Sequence, residues 1–95
     1  MDDIAYKGRL YDFYGELLSP RHREIFSYSV ERDMSLSEIA EETGLSRQGV
    51  HAALQKAEVA LREYEEKLGL VARFERLSAK LDRLQRIVDE IKEEL

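Results

Sequence analysis

MSLSEIAEETGLSRQGVHAALQKAEVALR, residues 34–62, carries the pattern on which the architecture of the chain depends. Ser35 and Glu38 stand in S-x-x-E spacing, a capping box in which the serine hydroxyl and the glutamate carboxylate each accept a backbone N–H at a helix start. Leu36, Ile39 and Ala40 then give this first helix a short apolar face, with the small Ala40 where two helices cross closely. Gly44 follows the helix end, where a left-handed residue closes the last turn and glycine alone is unstrained. Leu45 plugs the corner and Ser46 caps a second helix. Val50, Ala53, Leu54 and Ala57 recur along it at helical spacing and face inward. Alanine at the crossing, glycine four residues later and an aliphatic residue six after that form a helix-turn-helix pattern. A capped helix, a glycine turn and another capped helix also occur in small helical proteins that bind no nucleic acid. The pattern therefore defines a scaffold before it defines a ligand.

Outward on the first turns of the second helix are Arg47, Gln48, His51, Ala52 and Gln55. Arginine and glutamine are the side chains that make bidentate contacts to guanine and adenine edges in a major groove. Lys56 and Arg62 lie further along and are placed for phosphates, and Ser46 opens the helix. Ser46, Arg47, Gln48, His51, Gln55, Lys56 and Arg62 are thus the candidate nucleic-acid contacts. Gly49 among them is unusual, since glycine costs about 1 kcal/mol of helix propensity against alanine. It reads either as a point of close approach or as drift at an exposed site.

The totals set limits on this reading. Ninety-five residues, 37% charged and 43% hydrophobic, suit one soluble domain with an appended helix, and a single proline and five glycines favour an all-α fold. A chain this short buries only about two-thirds of its unfolded surface, so a dimer would help it. It has no cysteine, which removes disulfides and thiolate chemistry. No apolar run reaches membrane-span length and residues 1–20 lack a signal peptide's pattern, so a cytoplasmic location without a membrane span is expected. Net charge is −5, and residues 20–62 hold six basic and seven acidic side chains. DNA affinity comes largely from lysine and arginine neutralising phosphates, so this balance opposes tight DNA binding.

Upstream, residues 4–18 (IAYKGRLYDFYGELL) place Tyr6, Leu10, Phe13, Tyr14, Leu17 and Leu18 at intervals of three and four, predicting one amphipathic helix. Tyr6, Tyr11 and Tyr14 admit two readings, base stacking or a core stripe, and the spacing favours a core stripe with hydroxyls at the surface. Gly15 is a weak point there and leaves room for a close contact. Ser19-Pro20 marks a cap followed by proline at the first helical position. The helix from Pro20 to about Glu31 turns Ile25, Phe26 and Val30 inward. Arg21 and Arg23 on its first turn read as phosphate contacts or as solvated charges. Arg32-Asp33-Met34 forms the turn into the central pair, with Met34 under the core.

Downstream, Leu61, Tyr64 and Leu68 continue the second helix until Gly69 interrupts it. Leu70, Phe74, Leu77, Leu81, Leu84, Val88, Ile91 and Leu95 then alternate in steps of four and three, about four heptads of a coiled-coil seam. They are the candidate dimerisation residues. In a parallel pair the flanking positions would match Arg73 with Ser78, Lys80 with Gln85 and Ile87 with Lys92, so no opposite charges meet. Ile87 and Val71 widen the stripe. The expectation is a helix packed on several neighbours, its own chain's or a partner's; self-association and an intramolecular fold-back would use the same heptads. The organisation expected is a helical domain over 1–68, with its helix-turn-helix at about 35–62, and a C-terminal amphipathic helix over 69–95.

Laid out in this way, the chain resembles a known family. The strings YGELLSP, MSLSEIAEETGLSRQGVH and YEEKLGL look like the small bacterial YlxM-like (UPF0122) helix-turn-helix proteins, over about residues 7–70. The central part is also similar to the fourth region of bacterial sigma factors, which reads promoter DNA. The resemblance implies an all-α, sigma-region-4-like bundle and a regulatory role, with a link to the signal recognition particle that rests mainly on gene position. Family members usually carry SRQAVHD where this chain has SRQGVHA, so Gly49 replaces an alanine and Ala52 an aspartate. Arg47, Gln48 and His51 match. Two functions compete: a DNA-binding regulator, or a module that docks on and modulates the particle's GTPase. An enzyme is not expected, and neither a cofactor nor a metal. There is no phosphate-binding glycine loop or zinc spacing, and Ser46 and His51, five apart on one helix, do not make a dyad.

Overall fold

Serine and glycine punctuation divides the described residues into five helices. The computed structural model describes residues 3–95, with α1 Asp3–Tyr14, α2 Pro20–Val30, α3 Leu36–Thr43, α4 Arg47–Leu68 and α5 Leu70–Glu94. A 3-10 turn, Gly15–Leu17, follows α1. Each expected cap is in place. The Ser19 hydroxyl accepts the His22 amide at 3.3 Å, and Ser35 and Glu38 close a reciprocal capping box at 3.1 and 2.9 Å. The Ser46 hydroxyl accepts the Gly49 amide at 3.0 Å. Gly44 and Gly69 sit at φ of 76° and 63°, the left-handed conformation that ends α3 and α4. Asp33 shares it at φ 52°. A short polar side chain tolerates that conformation, and the Met34 amide then donates back to the Tyr28 carbonyl at 3.0 Å.

Helix α4 organises the head of the molecule. Its 22 residues run about 33 Å and serve two cores. Val50 packs with Ile25 and Ile39 between α2, α3 and α4, and Met34, Leu36, Ala40 and Leu45 close this core from the side. Ala57 and Leu61 pack with Leu10, Tyr14, Leu18, Phe26 and Val71, which joins α1, α2 and the start of α5. Leu54 touches both clusters and makes them continuous.

The amino-terminal stripe departs from expectation. Residues 4–18 are not one helix: α1 ends at Tyr14 and the chain tightens into the 3-10 turn. A tighter turn rotates successive residues by about 120° instead of 100°, so the register slips. Leu17 swings out to 56% exposure while Leu18 is buried, and Phe13 is left at the rim. Gly15 is buried, and a Cβ there would lie 2.9 Å from the Tyr11 ring, so the close contact is real. The Tyr14 hydroxyl, expected at the surface, is inside. It donates to Glu65 Oε1 at 2.6 Å and accepts the Leu70 amide at 3.0 Å.

Glu65 explains how α5 starts. Gly69 has no side chain with which to cap it. The Glu65 carboxylate instead reaches from the last turn of α4 to accept the Val71 and Ala72 amides, both at 3.0 Å. This is a helix N-terminus capped by a carboxylate from the preceding helix, favoured by both hydrogen bonding and the helix dipole. Burial pushes the Glu65 carboxyl upward, but the Tyr14 hydroxyl and the two amides outweigh it and hold it below the ordinary range.

Helix α5 does not pack on several neighbours of its own chain, and it does not fold back. Val71 is buried, the Phe74 ring meets Phe13 edge-on at 5.5 Å, and Arg9 meets Glu75 at 2.9 Å. From residue 79 to 95 every side chain is exposed. Neither glycine nor proline interrupts α5, so a helix that leaves the head at its first turns cannot return. The result is elongated, 62 × 28 × 21 Å, with a radius of gyration of 18.0 Å. A compact chain of this length would have about 12 Å.

Candidate nucleic-acid interface

Helix α3, the Gly44 turn and the first turns of α4 form the helix-turn-helix. Its geometry follows from three anchors: Ile39 under the crossing, Leu45 in the corner and Val50 facing both. With Val50 fully buried, the residues one and two places to either side of it on the helix point away from the core. Gln48, His51 and Ala52 are accordingly exposed, as are Arg47, Gln55 and Lys56. Leu36, Arg47, Gln48, His51, Ala52 and Gln55 line one shallow depression of about 470 Å³ on this surface.

The face is chemically unusual for this acidic protein. Between Gly44 and Ala57 there is no aspartate or glutamate, while Arg47 and Lys56 are both present. Among the described residues, no hydrogen bond or ion pair engages the side chains of Arg47, Gln48, His51, Gln55 or Lys56. Their donors and acceptors therefore all face solvent. Ser46 differs: its hydroxyl is taken up by the Gly49 amide, which leaves it a helix cap first.

Arg62 stands apart. It pairs with Glu58 at 2.9 Å and with Asp3 at 3.2 Å, and its guanidinium lies over the Tyr6 ring at 5.4 Å. Lys7 joins the same cluster through Glu58 at 3.0 Å. These contacts tie α1 to the middle of α4, nearly two helical turns beyond Gln55, so Arg62 is not gathered with the other candidates. Among the α2 arginines, Arg21 donates to the Thr43 carbonyl at 3.3 Å, at the C-terminal end of α3 where a cation is favoured. It thus braces the motif. Sequence reasoning missed both roles because each depends on a partner 22 or 59 residues away. The Glu65 cap was missed for a different reason: its motif YEEKLGL names the residue without showing which amides it reaches.

The tail residues Leu70, Phe74, Leu77, Leu81, Leu84, Val88, Ile91 and Leu95 lie on one side of α5, each at least 37% exposed. Among the described residues, no cluster of three or more histidine, aspartate or glutamate side chains is placed to hold a metal, and no helix is long and apolar enough to cross a membrane.

A capped pair of helices joined at a left-handed glycine, with a polar face free of acids on the second helix, defines a helix-turn-helix protein of the all-α class. The chain matches over residues 1–95 the family model described as "Putative helix-turn-helix protein, YlxM / p13 like". It belongs to that family, UPF0122. A UPF0122 protein of Thermoanaerobacter sp. strain X514 is 46% identical over 92 residues, covering 97% of this chain and 79% of the relative. Those of Symbiobacterium thermophilum and Halalkalibacterium halodurans are 44% and 46% identical over 89 residues, 94% of this chain and 83% and 82% of theirs.

Proposed function

We propose that this protein is a regulator that binds nucleic acid, duplex DNA before RNA, by placing the first turns of α4 in a groove. The single observation behind this is the acid-free face of residues 44–57, where Arg47, Gln48, His51 and Gln55 are exposed and unpaired. Arg47 and Gln48 carry base-edge contacts and Lys56 a phosphate contact. Ser46 sets the start of the helix, and Arg62 acts in the head's own ion pairs. Binding to polyanionic DNA in spite of a net charge of −5 requires the acidic residues to lie elsewhere, and none falls between Gly44 and Ala57.

Fluorescence anisotropy of the full chain against labelled genomic duplexes and the RNA of the signal recognition particle, over a salt series, tests this. The expected result is affinity that falls steeply with salt. Changing Arg47 and Gln48 together to alanine should abolish it with helicity intact, while Lys56→Ala should weaken all sequences alike and lower the salt slope by about 1. Flat titrations by folded protein would overturn the reading.

The overall acidity favours a second reading: a module that docks on a basic protein or ribonucleoprotein, with the signal recognition particle's GTPase as the partner suggested by family resemblance. In either case the site of action is the cytoplasm. Co-purification of particle components from native lysate tests the second reading, and their reproducible absence would count against it.

A further inference from the structure

Helix α5 carries its apolar stripe uncovered. Leu77, Leu81, Leu84, Val88 and Ile91 are between 37% and 57% exposed, along a seam of nearly four heptads, the length that sustains a coiled coil. The charges along the helix are divided. Residues 70–78 hold two basic side chains and one acidic, a balance of +1, whereas residues 87–95 hold four acidic and one basic, a balance of −3.

We propose that the stripe is covered by α5 of a second copy of this chain, running antiparallel in full overlap. A parallel pair would set the two −3 ends side by side, with no opposite charges at the flanking positions. Reversing one helix brings residues 70–78 of each against the acidic residues 87–95 of the other. The seam then closes without a gap: Leu70 against Leu95, Phe74 against Ile91, Leu77 against Val88 and Leu81 against Leu84. At its edges Arg73 faces Glu94 of the other copy, twice by the two-fold axis. The Lys80 stem covers Ile87, and Ser78 meets Gln85.

The head completes the surface. The Phe13 ring, 5.5 Å from Phe74, extends the stripe onto α1, and Phe13 is itself 38% exposed. The tip of the other helix, Ile91 and Leu95, arrives at this junction. The dimer so built holds its two heads at opposite ends of a rod about 37 Å long.

The chain lacks cysteine, so spin labels can be attached singly through Ala79→Cys or Glu93→Cys, both on the side of α5 away from the seam. In the antiparallel pair, labels at 93 are separated along the axis by about 32 Å and labels at 79 by about 10 Å. A parallel pair gives the same short distance at both. Sedimentation equilibrium of the unlabelled protein should show a dimer at tens of micromolar. Arg73→Glu and Glu94→Arg should each raise its dissociation constant several-fold. The two changes in one chain should restore it, because opposite charges then meet again with their signs exchanged. A monomer at that concentration, equal short distances, or no restoration by the double change would each overturn the proposal. Circular dichroism of each variant separates weakened pairing from lost helix. None of these measurements involves nucleic acid, so they stand apart from the function proposed above.

Discussion

Helices α4 and α5 are both long, both amphipathic and separated only by Gly69, yet Leu61 on one is fully buried and Leu81 on the other is 56% exposed. The difference lies in what surrounds each stripe. Three helices connected by short turns fold onto α4, whereas α5 joins the head through Val71, Phe74 and Glu75 at its first turns. An apolar stripe records that a helix has a buried side; it does not say which chain buries it.

The same leucine-to-alanine substitution on the two helices should have very different effects. Leu61→Ala removes side-chain atoms from a filled core and should cost about 2–5 kcal/mol. Urea unfolding followed by circular dichroism would show the stability fall by that amount. If it did not, the head would be more loosely packed than its burial indicates.

The joint between the two helices offers a second test, of intermediate size. Glu65→Gln weakens the cap on α5 and should cost about 0.5–2 kcal/mol, the usual range for a lost helix cap. The effect carries a pH signature. The folded Glu65 carboxyl titrates below its ordinary value, with burial opposed by the Tyr14 hydroxyl and the Val71 and Ala72 amides. Its contribution is therefore fully present above the unfolded value of about 4.3 and is lost as pH falls through the lower folded value. Melting temperature against pH should fall less steeply on the acid side for the glutamine variant. Parallel curves would show that Glu65 contributes nothing through its charge.

Gly49→Ala sharpens the reading of the motif. The added Cβ would lie 3.2 Å from the Ser46 hydroxyl, which must give by a few tenths of an ångström. A single serine hydroxyl can move that far, so the gain in helix propensity should prevail, at up to about 1 kcal/mol. The melting temperature should rise by a few degrees; a fall would mean that Ser46 is held too tightly to yield. The smallest effect belongs to Leu81→Ala. In protein dilute enough to be monomeric, the unfolding free energy of the head should change by less than about 0.5 kcal/mol. A larger change would mean that α5 contributes to head stability beyond its first turns.

Local chemistry made much of this molecule legible in advance. Ser19, Ser35, Ser46, Gly44 and Gly69 act within one helical turn of themselves, so caps, turns and helix boundaries follow from neighbours in sequence. The outward face of Arg47, Gln48, His51 and Gln55 was readable for the same reason, because Val50, Ala53 and Ala57 fix the inward one. The slip after Tyr14 was not readable, since Leu17 and Leu18 fit a helical period equally well until the chain tightens.

Five helices, their order, the helix-turn-helix and the continuous stripe on α5 follow from local sequence alone. The lock of Tyr14 and Glu65 on the α4–α5 joint, the service of Arg21 and Arg62 to the head and the projection of α5 emerge from the folded arrangement. Each of these depends on where groups far apart in the chain meet, or fail to meet. Helical periodicity gives the direction of a side chain about its own axis, and it holds no information on where another axis passes.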